Sequence, residues 1–149
     1  MSQAGKTYGE FKVGEIDKGP AITITESHIT TFTAISGDYN PLHTDEEFAK
    51  KSPFGTRIAH GLLSLSITSG YIGRLLAGTA IAFLGAKYRF TAPVKIGDTV
   101  YLESEVLEKK DKEKYNGGKV TVKMLIKNQR DEVCVEGEAA VLVSNVKLW

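Results

Sequence analysis

Asp38 and His43 stand five positions apart in Ser36-Gly37-Asp38-Tyr39-Asn40-Pro41-Leu42-His43, and a carboxylate and an imidazole at that spacing can converge on one proton. Gly37 permits backbone angles that other residues avoid. Asp38 and Asn40 favour side-chain-to-backbone turns, and Pro41 fixes its own φ while steering Asn40 away from helical angles. The stretch is therefore expected to be a stiff, bent loop without regular structure. Two proton-exchanging groups on a rigid support are what general acid/base chemistry on one small molecule requires. The plainer alternative is an ordinary Asp-x-Asn-Pro turn followed by a surface histidine. A calcium loop would also begin with Asp38 and Asn40 at positions 1 and 3, but its position 6 should be Gly and is His43, and its position 12 should be Glu and is Ala49.

The neighbouring sequence says how such a loop is held. Thr25 followed by Glu26, then Ile29, Phe32 and Ile35 at helical spacing with Gly37 just past the end, predicts a short amphipathic helix from about Glu26 to Ser36. After the loop, Thr44 with Glu47 three residues later forms a capping-box pattern, and Ser52-Pro53 stops the turn or two that follows. A second helix is predicted from His60-Gly61 to about Ala77. Its Leu62, Leu63, Leu65, Ile67, Tyr71, Ile72, Leu75 and Leu76 occupy almost every face, so it is expected to be buried all round, with small residues between them letting other backbones approach.

From about Ala80 the period changes. Leu84, Ala86, Tyr88 and Phe90 alternate with Gly85, Lys87 and Arg89, and further strands are predicted over Thr99 to Leu107, Lys119 to Lys127 and Val133 to Val143, with a hairpin at Asn116-Gly117-Gly118. An early strand within Lys12 to Thr23 completes a five-stranded antiparallel sheet. Strand, helices, then hairpin-linked strands argue for an α+β fold with the helices on one face.

Composition bounds the rest. A chain of 149 residues suits a single domain (1–149), large enough to bury a core without a staple. Nineteen Lys and Arg against 18 Asp and Glu leave a net charge of +1, which lacks the basic footprint expected for nucleic acid. The run Glu108 to Lys114 alternates sign and reads as a solvated hairpin end. Cys134 is the one cysteine, so no internal disulfide can form, and its apolar flanks Val133 and Val135 suggest a buried, inert thiol. Met1 to Gly14 has no apolar signal core and no window approaches the ~20 apolar residues of a membrane span, which leads us to expect a cytoplasmic protein with no membrane partner.

Two further groups bear on chemistry. Gly61 opens the second helix, where unpaired N–H groups and the positive end of the macrodipole favour an anion, although a glycine there also serves simply to let the chain enter the helix. Ser69 shares a stripe with Leu62, Leu65, Ile72 and Leu76; it is expected either to return its hydrogen bond to a carbonyl one turn back or to orient Asp38. His60 is expected to pack or cap, and His28 to lie at the surface. An acid–imidazole couple beside a helix start suits proton transfer next to a carbonyl, with the helix N–H receiving an enolate oxygen. No nucleophile elbow, phosphate loop or paired metal-ligand spacing is present in the sequence, so no metal is expected.

These motifs carry a resemblance. Phe32 through His43, Thr44-Asp45-Glu46-Glu47-Phe48-Ala49, Ile58-Ala59-His60-Gly61-Leu62, and Tyr88-Arg89-Phe90-Thr91-Ala92-Pro93-Val94 with Gly97-Asp98-Thr99 resemble the MaoC-like dehydratase family. Within it the chain is similar to single-domain R-specific enoyl-CoA hydratases, from about Phe11 to Val143. The resemblance implies a hotdog fold, an antiparallel sheet wrapped round a central helix, and a homodimer with active sites near the interface. It implies that Asp38 and His43 are catalytic, that Asn40 and Ser69 support them, and that the Gly61 N–H receives the thioester oxygen. The implied reaction adds water reversibly to a trans-2-enoyl-CoA to give an (R)-3-hydroxyacyl-CoA, with coenzyme A as part of the substrate and no separate cofactor. A hotdog acyl-CoA thioesterase, a 3-hydroxyacyl-[acyl carrier protein] dehydratase and a non-catalytic subunit of one stay open at this point. Lys87 and Arg89, facing outward, either meet carrier phosphates or form a plain solvated face.

Overall fold

The computed structural model describes residues 5–148, so residues 1–4 of the polar amino-terminal stretch lie outside it. Its frame is an antiparallel sheet of six strands: β1 (Ile16–Lys18), β2 (Ile22–Thr23), β3 (Ala80–Phe90), β4 (Thr99–Lys112), β5 (Gly117–Asn128) and β6 (Val133–Ser144). The order is β1-β4-β5-β6-β3, with β2 also paired to β4. The long strands β4, β5 and β6 bury alternate residues, so Val100, Leu102, Val106, Val122, Met124, Ile126, Val135 and Val141 build the inner face.

The predicted early strand is two short ones. Pro20 lacks the N–H a ladder needs, and the chain breaks at Gly19-Pro20 before re-entering against the same partner, β4. This raises the count from five strands to six without adding a position to the sheet. A left-handed Asn116 (φ 43°) turns the chain between β4 and β5, as the hairpin sequence foretold.

Helix α1 (Glu26–Ser36) has the predicted bounds, closed by Gly37 in the left-handed region with its N–H on the Thr33 carbonyl. Its start is capped in a way the sequence did not suggest: His28 Nδ1 accepts from the Thr25 N–H at 3.0 Å, so His28 is a half-buried cap and not a free surface residue. Only Ile29 and Thr33 of this helix are fully buried; Ile35 is exposed.

Two single-turn helices follow, α2 (Pro41–Thr44) and α3 (Glu46–Ala49). The loop expected to be wholly irregular thus ends in a helical turn, because Pro41 sits at the first helical position, where its missing N–H costs nothing. The cap of α3 is Asp45, accepting from the Phe48 N–H at 3.0 Å, and not Thr44, whose hydroxyl turns back to the Tyr39 and Asn40 carbonyls.

The long helix α4 (Gly61–Leu75) ends near its predicted bound and packs on the sheet through Leu63 and Tyr71. It is not buried all round. Leu62 is exposed, and Leu65, Ile72 and Ser69 line a groove of about 580 Å³ shared with Phe83, Ala86 and Tyr88 of β3. Apolar residues on every face predicted enclosure, but the sheet of one chain covers only one side. Cys134 is buried, and burial pushes its thiol up to about 11. Among the described residues no helix is long and apolar enough to cross a membrane.

Candidate active site

The Asp38–His43 stretch is tied down by its own side chains. The Asp38 carboxylate accepts the Asn40 N–H at 3.1 Å through Oδ1, and the Asn40 side chain accepts the Leu42 N–H at 3.0 Å, so two successive turns place His43 on the inner side of α2. Asn40 therefore acts on the backbone of the loop. With Oδ1 occupied, Oδ2 of Asp38 faces His43 Nε2 at 3.9 Å. That distance is too long for a direct hydrogen bond and suits an intervening oxygen.

The two groups differ in burial. His43 is buried, whereas the Asp38 side chain is half exposed at the rim. His43 Nδ1 lies 2.8 Å from the Ile58 carbonyl, and since a carbonyl only accepts, the hydrogen is on Nδ1. In the neutral ring Nε2 then carries the lone pair, and it points at Asp38, as a general base requires.

Behind His43 is a second imidazole. His60 is 2 % exposed, and its ring stacks on that of His43 with centroids 3.9 Å apart and 28° between planes. One ligand atom each from Asp38, His43 and His60 falls within a 4.8 Å set. Stacked rings direct their nitrogens in nearly parallel planes, so the two imidazoles do not converge as a chelate would.

His43 lies between two hollows. One, of about 320 Å³, is lined by His43, Gly61, Ser64, Phe90, Pro93 and Val135; the other, of about 250 Å³, lies towards α1 and includes Thr33, Tyr39 and Arg57. Gly61 is the first residue of α4, whose leading N–H groups have no partner within the helix. It is not among the glycines with positive φ. Its role is spatial: a β-carbon there would lie 2.9 Å from the Phe90 ring.

The structure thus brings Asp38, Asn40, His43 and Gly61 around one region and leaves Ser69 out of it. Ser69 faces the groove beside β3, eight residues and ~12 Å of helix rise beyond Gly61. The α4 hydroxyl residue that lines the His43 hollow is the buried Ser64, with Oγ 3.5 Å from the His60 carbonyl. The stripe containing Ser69 was a correct helical face, but the sheet covers the adjacent one.

Three contributors were not legible as site residues. The Ile58 carbonyl that fixes the His43 tautomer is backbone and leaves no side-chain signal. Arg57 reaches Glu26 of α1 with both terminal nitrogens, at 2.8 and 2.7 Å, and Glu46 of α3 at 3.2 Å through Nε. This fork holds α1 and α3 against the segment that carries Ile58. Arg57 keeps the Glu26 carboxyl below its ordinary range, and the Thr56 hydroxyl, with Arg57, does the same for Glu46. His60 is the third; a histidine next to a helix start reads as packing until its ring direction is known. Arg89 pairs with Glu136 across the ladder, which favours the solvated-face reading for that residue.

Residues 12–128 match the model of the MaoC like domain. The chain is 38 % identical over 120 residues to a 3-hydroxybutyryl-CoA dehydratase of Methylorubrum extorquens, covering 80 % of this chain and 73 % of that one. It is 38 % identical over 123 residues to an (R)-specific enoyl-CoA hydratase of Rhodospirillum rubrum, covering 83 % and 82 %. The solved structure of the R-hydratase PhaJ1 from Pseudomonas aeruginosa superposes with a TM-score of 0.83 at 38 % identity, covering 95 % of this chain and 88 % of that chain. The antiparallel sheet packed against α4 is the hotdog fold.

Proposed function

Because the chain belongs to the MaoC-like domain family of hydratases and dehydratases, we propose that it adds water reversibly to trans-2-enoyl-CoA thioesters to give (R)-3-hydroxyacyl-CoA. The observation that carries this reading is the 3.9 Å gap between Asp38 Oδ2 and His43 Nε2, with each group held by a separate backbone contact. One water at ~2.8 Å from both would be gripped and oriented.

In the hydration direction the water oxygen bonds to C3 as the couple takes a proton from it. The π electrons of the C2–C3 bond move towards the thioester oxygen, which the Gly61 N–H receives at the positive end of α4. The couple then returns a proton to C2, so it ends as it began. Dehydration is the same path reversed. His43 serves through Nε2 because Nδ1–H is committed to Ile58, and Asp38 serves through Oδ2 because Oδ1 is committed to the Asn40 turn. Coenzyme A enters as part of the substrate, and no separate cofactor takes part.

A homodimer completes this reading. β3 is an edge of the sheet, and Phe83, Leu84 and Phe90 on it, with Leu62 of α4, leave an apolar face open that a second copy would cover. The test is spectroscopic: purified protein should remove enoyl-thioester absorbance from trans-2-enoyl-CoA, yield the (R) alcohol on chiral analysis and release no thiol. Thiol release at the rate of substrate loss would make it a thioesterase instead.

A further inference from the structure

We propose that His60 is a positioning residue for the Asp38–His43 couple, holding the backbone of one and the ring of the other from a single buried side chain. The inference rests on the reading above that this couple reacts. His60 Nε2 lies 3.1 Å from the main-chain carbonyl of Asp38, with the Thr33 hydroxyl 3.5 Å from the same nitrogen. A carbonyl accepts, so Nε2 carries the hydrogen. The face of the same ring lies against His43, and Phe32 packs on it at 5.0 Å, tilted by 50°. His60 therefore bonds to the loop that presents Asp38 and stacks on the imidazole opposite. The 3.9 Å reacting gap is spanned from behind by one residue.

Two features separate this from ordinary packing. His60 occupies the N-cap position of α4, where Ser, Thr, Asp or Asn would bond back to the helix; its side chain makes no such bond and is directed at the Asp38 loop. Among the described residues its buried Nδ1 has no hydrogen-bond partner, which a residue placed only for packing would avoid, since an aromatic or aliphatic ring would fill the space with no orphaned nitrogen. What an apolar ring could not supply is the N–H to the Asp38 carbonyl. Because Gly61 follows directly, the same residue also fixes the start of α4, and so the distance from the couple to the helix N–H groups.

The experiment uses the full chain. Long-range proton–nitrogen correlation spectra of the protein labelled at histidine should show His60 as the Nε2–H tautomer, and the Asp38 carbonyl carbon should carry the shift of a hydrogen-bonded group. His60→Phe keeps a stacking face and removes the donor, whereas His60→Gln keeps an N–H within reach and removes the ring. In His60→Phe the Asp38 carbonyl shift should move and kcat for enoyl-thioester hydration should fall about 10- to 100-fold with KM within about twofold. His60→Gln should restore the carbonyl shift and recover part of kcat. An Nδ1–H tautomer in the wild type, an unmoved Asp38 carbonyl in His60→Phe, or a wild-type kcat in that variant would overturn the proposal. The two spectroscopic readouts need no substrate, so they judge His60 even if the wild-type protein proves inactive on enoyl thioesters, a result that would count against the proposed reaction alone.

Discussion

Replacing Gly61 by Ala asks whether this position is glycine for space at the reacting carbonyl. The backbone there needs no positive φ, so alanine is conformationally acceptable, and any effect must come from the added methyl. That carbon would meet Cε1 of Phe90 at 2.9 Å and two more ring carbons at 3.2 Å, against an optimum of about 3.5–4.0 Å, so the ring must yield by roughly 0.6–1 Å. Phe90 ends β3 and is 54 % exposed within its own protomer, so the ring is held further only by the contacts a second copy adds, and the stability cost should fall within the ~1–3 kcal/mol usual for overpacking. Activity should suffer far more, because Gly61 and Phe90 line the same hollow as His43. Loss of approach to a helix N–H should lower kcat about 100- to 1000-fold. The assay is steady-state hydration of a trans-2-enoyl-CoA alongside thermal unfolding, with Phe90→Ala added to relieve the clash. The double variant should regain stability without regaining turnover. Full activity in Gly61→Ala, or full rescue of turnover by Phe90→Ala, would show that the glycine merely accommodates the ring.

Other predictions concern the frame around the site. Asp98 is buried; burial alone would raise its pKa, but bonds from the Gln129 side chain, the Lys95 N–H and Arg130 outweigh it and lower it overall. A folded pKa below the unfolded one gives stability that is present above the unfolded value and lost as pH falls through the folded one, so Asp98→Asn should destabilise at neutral pH and flatten the acid limb of a urea-denaturation series. Asp98→Ala, which leaves Gln129 and the Lys95 N–H without their acceptor, should cost about 1–3 kcal/mol in the same experiment. Cys134, buried and with its thiol pushed up to about 11, should be silent to an aromatic disulfide reagent in the native protein and react once in denaturant; rapid native labelling would contradict its placement.

Much of this was legible in the residues, for identifiable reasons. The bounds of α1 followed from Thr25 and Gly37, whose capping roles are local, and the long strands followed from alternation that the sheet converts directly into inside and outside. Asp38 and His43 could be paired because Gly37, Asn40 and Pro41 restrict the chain between them. What failed depended on tertiary context. Pro20 split the first strand, Asp45 outcompeted Thr44 as a cap, and the helix expected to be enclosed on every face is covered on one side only by the sheet of its own chain. The roles of the Ile58 carbonyl and of His60 required knowing where a backbone group and a ring point, which neither spacing nor composition encodes.

The most direct test of the account is turnover by Asp38→Asn and His43→Gln, each checked for a wild-type melting profile. If both groups act on one water, each variant should lose about 100- to 10,000-fold in kcat/KM for trans-2-enoyl-CoA hydration, and the double variant should be little worse than either, since the two work as a unit. Folded variants that hydrate the substrate at the wild-type rate would contradict it.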